Sequence, residues 1–156
     1  MGYSMGARIT AFLASTRPDL VRSAIFGGLG IHLVDGTGLP LGIAEAMEAK
    51  SLQDVTHPMG QMFRRFAQST KSDLVALAAC IRGSRQMLET SQLASITCPV
   101  LVCVGTNDTV AGDPHALAAM MPNAKAVDIT NRDHNLAVGD KIYKQAVLEF
   151  LNLLYV

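Results

Sequence analysis

The pentapeptide Gly2-Tyr3-Ser4-Met5-Gly6 sets a serine between two glycines, and an apolar, alanine-rich run follows at once. A serine at a sharp strand-to-helix turn sits in strained backbone space, and glycines two residues to either side let the chain fold back on itself. Its hydroxyl becomes a nucleophile only when an imidazole takes its proton and a carboxylate holds that imidazole in the right tautomer. Both partners occur downstream: Asp108 in "VGTNDTV" and His134 in "TNRDHNLA", giving the chain order Ser, Asp, His. Two other acids compete with Asp108. Asp113 reads as the N-cap of a short helix beginning at Pro114, and Asp133 is adjacent in sequence to the histidine it would have to face, so Asp108 is favoured.

The remaining chemistry-bearing residues point to less. His32 and His57 lie in a long central insertion and His115 in a short helix, with no HExxH pattern or carboxylate cluster, so neither a metal nor a cofactor is expected. Cys80, Cys98 and Cys103 have no ligand spacing and read as reduced thiols. The glycines of "GGLGIHLVDGTGLPLG" lack the GxxxxGK[ST] pattern of a phosphate loop.

These residues need a frame to bring them together. Val21 to Gly28, Cys98 to Gly105 and Ala124 to Thr130 read as buried parallel strands, each a short apolar run closed by turn residues. Helices are expected over Met5 to Ser15, Asp113 to Met121 and Gly139 to Leu154. Strand and helix alternate, which makes the class α/β. Ser4, Asp108 and His134 then leave the sheet on one edge, where open α/β sheets place their functional loops. Between the first two strands, residues 29–95 form an insertion with helical pieces near Ile43 to Lys50, Gly60 to Gln68 and Asp73 to Ile81. Met47, Met59, Met62 and Met87 read as gap-fillers in a core, the alternative being the lining of an adaptable apolar pocket, and Arg64, Arg65, Arg82 and Arg85 read as a solvated face, the alternative being contact with an acidic substrate.

At 156 residues and 49% hydrophobic, the chain can bury a substantial core. Thirteen Lys and Arg balance thirteen Asp and Glu, so nothing argues for nucleic acid or an anionic membrane surface as partner. With no apolar run of bilayer length and no basic, apolar leader, a cytoplasmic location is expected.

Taken in order, the Gly2-to-Gly6 pentapeptide, "LASITCPVLVCVGTND" and "NRDHNLAV" resemble the C-terminal portion of an α/β-hydrolase-fold serine hydrolase of the esterase and lactone-hydrolase branch. The resemblance implies a partial α/β-hydrolase fold: about three parallel strands with flanking helices, residues 1–28 and 96–156 as core, and 29–95 as a helical lid. It implies a catalytic Ser4, Asp108 and His134, an oxyanion hole that includes the Met5 amide, a substrate contact from Tyr3, and a small-molecule ester or lactone as substrate. Two departures stand out. Asp133 replaces the glycine more usual before the histidine, and the strands and early oxyanion loop that precede the elbow in that family are not recognisable here. An open sheet edge is therefore expected to be covered by a second copy in a symmetric dimer, or by a separate N-terminal half. The alternative to an enzyme is a non-catalytic or split form of the fold acting as an interaction module.

Overall fold

The computed structural model describes residues 1–36, 42–83 and 86–155. The middle of the glycine-rich loop, 37–41, and Arg85 lie outside the described residues. Along the chain the elements are β1 (Gly2–Tyr3), α1 (Met5–Thr16), β2 (Ala24–Gly27), α2 (His32–Asp35), α3 (Gly42–Glu48), α4 (Pro58–Ser69), α5 (Leu74–Gly83), α6 (Thr90–Ala94), β3 (Val100–Gly105), α7 (Pro114–Ala118), β4 (Ala124–Ile129) and α8 (Lys141–Tyr155), with single 3₁₀ turns at Pro18–Leu20, Leu52–Asp54 and Ala137–Gly139. They divide into two compact units, Met1–Gly38 with Met87–Val156, and Leu39–Gln86.

The first unit is built on a parallel sheet in the order β1-β2-β3-β4. Four strands replace the three expected from sequence. The strand thought to be missing before the serine is present as β1, two residues long and paired to β2 through Gly2–Phe26 and Tyr3–Gly27. Two residues carry no alternation, so no periodicity could announce them. The sheet separates two apolar layers by its pleat. Ala24, Phe26, Val100, Val102 and Val104 face one side, with α1, Leu93 of α6 and Leu117 of α7; Ile25, Leu101, Cys103 and Ile129 face the other, with Tyr143 and Phe150 of α8. Full burial of a side chain such as Phe26 contributes about 2–3 kcal/mol.

α1 packs its small residues inward. Ala7, Ala11 and Ala14 are buried, whereas Met5, Ile9 and Leu13, four residues apart, stand 40%, 61% and 42% exposed. α7 is shorter than expected because i+3 bonds, Met120 N–H to Leu117 O and Met121 N–H to Ala118 O, tighten its end ahead of Pro122. α8 starts at Lys141 rather than Gly139, since the Asp140 carboxylate accepts from the Ile142 N–H and breaks the run there.

The second unit gathers α3, α4 and α5 around Ile43, Ala44, Met47, Ala67 and Ala78. Arg64, expected on a solvated face, is buried; its guanidinium donates to the Ala46, Met47 and Ala49 carbonyls at the end of α3. Arg82 does lie on the surface, paired with Glu48. The compact unit is narrower than the 29–95 insertion: Leu29, Leu33, Leu88 and Leu93 pack in the core of the first unit. No described helix is long and apolar enough to cross a membrane.

Candidate active site

Ser4 sits between β1 and α1 with φ 52° and ψ −114°, a left-handed conformation for a residue with a side chain. Such a backbone costs about 1–3 kcal/mol and persists only where its surroundings over-determine it. Here the Ser4 N–H donates to Gly27 O at 2.8 Å, and the Ser4 carbonyl accepts from Arg8 N–H at 3.1 Å as the first bond of α1. Gly2 is required for the fold-back: a Cβ there would meet Gly6 O at 2.1 Å and Gly6 C at 2.2 Å. Gly6 is not, because a Cβ at that position meets nothing within 4 Å. The two glycines expected to act alike therefore differ, since it is the Gly2 Cα that is pressed against the Gly6 main chain.

The imidazole lies between the other two groups. His134 Nδ1–H donates to Asp108 Oδ2 at 2.8 Å, leaving Nε2 to accept from the Ser4 hydroxyl at 2.9 Å. The His134 and Asp108 side chains are 5% and 0% exposed. Asp108 is held by its second oxygen, which accepts from Val110 N–H and Ala111 N–H at 2.9 and 3.0 Å. In turn the Val110 carbonyl accepts from His32 Nδ1–H, and the Ala111 carbonyl accepts from Gly30 and His32 N–H, clamping this loop to the one after β2. The two rival acids are engaged elsewhere: Asp113 accepts from His115 and Ala116 N–H as the α7 cap, and Asp133 accepts from Asn135 and Leu136 N–H. Met5 opens α1 directly after Ser4; a first-turn N–H has no acceptor within its own helix.

Tyr3, expected to contact substrate, donates its hydroxyl to the main-chain oxygen of His134 at 2.7 Å. Its ring packs with the α8-side layer, tilted against the His134 ring at 5.6 Å and edge-on to Tyr143 at 5.9 Å. Burial, followed by the nearby Asp108 charge, raises its hydroxyl well above the ordinary tyrosine range. Burial also pushes the Cys103 thiol up to about 12, so it stays a protonated packing group.

Several supporting residues escaped the sequence reading. Gly105 ends β3, and a Cβ there would strike Arg132 O at 2.1 Å. The loops after β3 and β4 are further joined by Asn131 N–H donating to Thr106 Oγ1 and by Asn107 N–H donating to Arg132 O, while the Arg132–Asp140 pair at 2.6 Å braces the segment after β4 on itself. The signal available beforehand was a glycine closing an apolar strand just ahead of Thr106-Asn107-Asp108. Among the described residues no group of three or more His, Cys, Asp or Glu could hold a metal ion. A groove of about 340 Å³ beside Val100, Lys125 and Phe150 lies by the first residues of β3 and β4, at the far end of the strands from Ser4, Asp108 and His134.

No protein-family model and no curated protein matches the chain. Solved structures do. A hydrolase from Pseudomonas aeruginosa PA01 aligns with a TM-score of 0.73 at 23% identity, covering 96% of this chain and 63% of its own. MenH from S. aureus gives 0.71 at 20%, covering 97% and 66%. A serine hydrolase from Cycloclasticus zankles gives 0.66 at 16%, covering 99% and 64%. The parallel sheet, the strained serine at its turn and these alignments together define a partial α/β-hydrolase fold. The chain spans 63–66% of the length of these proteins, less than two-thirds of each.

Proposed function

We propose that the chain carries the catalytic residues of a serine hydrolase acting on a carboxylic ester or lactone. The reading rests on one observation, the continuous Asp108–His134–Ser4 hydrogen-bond relay at 2.8 and 2.9 Å. Ser4 Oγ attacks the acyl carbon as its proton passes to His134 Nε2, and the developing imidazolium is held by Asp108. The tetrahedral oxyanion takes the Met5 N–H at the positive end of α1. Its collapse breaks the carbon–oxygen bond to the alcohol, which leaves with the proton from Nε2. Water then repeats the sequence on the acyl-enzyme and frees the acid and Ser4.

A fluorophosphonate probe tests the reading: one adduct on Ser4 of the 156-residue chain, abolished in Ser4→Ala, is expected. A folded chain that takes no label would reject it. That outcome would favour the second reading, an interaction module keeping the fold without turnover.

A further inference from the structure

The site holds its histidine at two places. The Asp108 carboxylate fixes the imidazole, and the Tyr3 hydroxyl fixes the backbone by donating to His134 O at 2.7 Å across 131 residues of chain. Tyr3 is also the residue that precedes Ser4, so one side chain links the strand bearing the serine to the main chain bearing the base. Its ring has little freedom. It lies in a slot made by two residues without side chains: a Cβ on Gly27 would meet Tyr3 Cδ2 at 2.6 Å, and one on Gly28 would meet Tyr3 Cζ at 2.7 Å. Tyr143 closes the slot edge-on, and its own buried hydroxyl has no hydrogen-bond partner among the described residues.

From this geometry we infer that Tyr3 is a positioning residue, which sets the Ser4–His134 distance by anchoring the carbonyl of the histidine to the strand before the elbow. The inference deepens the hydrolase reading and rests on it for its effect on rate, but the anchor itself is a property of the fold. Removing the hydroxyl frees the His134 loop to shift by a fraction of an ångström while the ring keeps its slot. Displacements approaching 1 Å near reacting groups cost on the order of a hundredfold in rate, so a partial release is expected to cost about tenfold.

The test compares the wild-type chain, Tyr3→Phe and Tyr143→Phe. Two quantities are read: the second-order rate of fluorophosphonate labelling at Ser4, and the NMR resonance of the His134 Nδ1–H proton shared with Asp108. In Tyr3→Phe, labelling is expected to slow about tenfold and the proton resonance to shift or broaden, at an unchanged circular dichroism spectrum. Tyr143→Phe removes a hydroxyl that bonds nothing and is expected to match wild type in both. If wild type takes no label, the hydrolase reading fails, while the proton resonance still decides on the anchor. A Tyr3→Phe resonance identical to wild type overturns the inference, as does a loss in Tyr143→Phe equal to that in Tyr3→Phe.

Discussion

Replacing Gly2 by alanine adds one methyl group at the tightest point of the elbow. The new Cβ would lie 2.1 Å from Gly6 O, 2.2 Å from Gly6 C and 2.6 Å from Ala7 N, all main-chain atoms that no rotamer change can move aside. Non-bonded atoms settle at about 3.5 Å, so β1 and the first turn of α1 must separate by more than about 1 Å. Ser4 lies between them, and its 2.9 Å bond to His134 has no slack for such a shift. Overpacking of this kind costs about 1–3 kcal/mol of stability, and a 1 Å misplacement of the nucleophile costs on the order of a hundredfold in rate. Gly6→Ala is the internal control. Its methyl group enters open space within a helix, where alanine is favoured over glycine by up to about 1 kcal/mol, which corresponds to a rise of about 2–4 °C in melting temperature for a chain of this size. Thermal melts and fluorophosphonate labelling of both variants decide the matter. Labelling of Gly2→Ala at the wild-type rate, or collapse of Gly6→Ala, would refute the account of the elbow.

Asp108→Asn removes the acceptor that fixes the His134 tautomer and is expected to slow labelling on the order of 10⁴-fold, whereas Asp113→Ala costs α7 its cap, about 1 kcal/mol, without slowing it; the reverse pattern would overturn the acid assignment. His115 bonds Asp128 at 3.0 Å, and that hydrogen bond, followed by the carboxylate charge, raises its pKa. Its NMR titration is expected above the ordinary histidine range and to fall in Asp128→Asn. Because the value is raised on folding, the pair's contribution to stability is complete below the unfolded histidine pKa and fades as pH rises through the folded one; an unshifted wild-type midpoint would refute it. The exposed Met5, Ile9 and Leu13 form an apolar stripe along α1. A symmetric dimer that Ile9→Glu dissociates is expected in sedimentation at micromolar concentration, and a monodisperse wild-type monomer would reject it.

Most of the candidate site was legible because Ser4, Asp108 and His134 each follow the C-terminal end of a strand, and a parallel sheet brings those ends to one edge. Val100 to Gly105 is a buried apolar run, whereas Ala124 to Ile129, expected to be buried, exposes Lys125 and Asp128; turn residues close both, so the loops carrying Asp108 and His134 could be placed from sequence. What stayed hidden depends on distances the chain spacing does not encode. α1 is an example: periodicity reveals that Ile9 and Leu13 share a face, but the helix lies so close to β2 that alanines occupy the inner face and the large residues the outer. Arg64 is another, since only the end of α3, with its unpaired carbonyls, gives a buried guanidinium something to bind.

The strand order explains why glycine recurs where the strands end. Neighbouring strands lie about 4.8 Å apart, so the ends of β1 and β4, three spacings from each other, are separated by roughly 14 Å. An imidazole cannot span that gap, so the loop after β4 must cross the ends of β3 and β2 to reach the serine. Side chains at those ends would block it. At the end of β3, Gly105 leaves room for Arg132 O; at the end of β2, Gly27 and Gly28 leave room for the Tyr3 ring that anchors His134. The bare strand ends are thus as much a condition of the Ser4–His134 bond as the elbow is. A methyl group at Gly105, far from Ser4 in sequence, is accordingly expected to lengthen that bond as surely as one at Gly2.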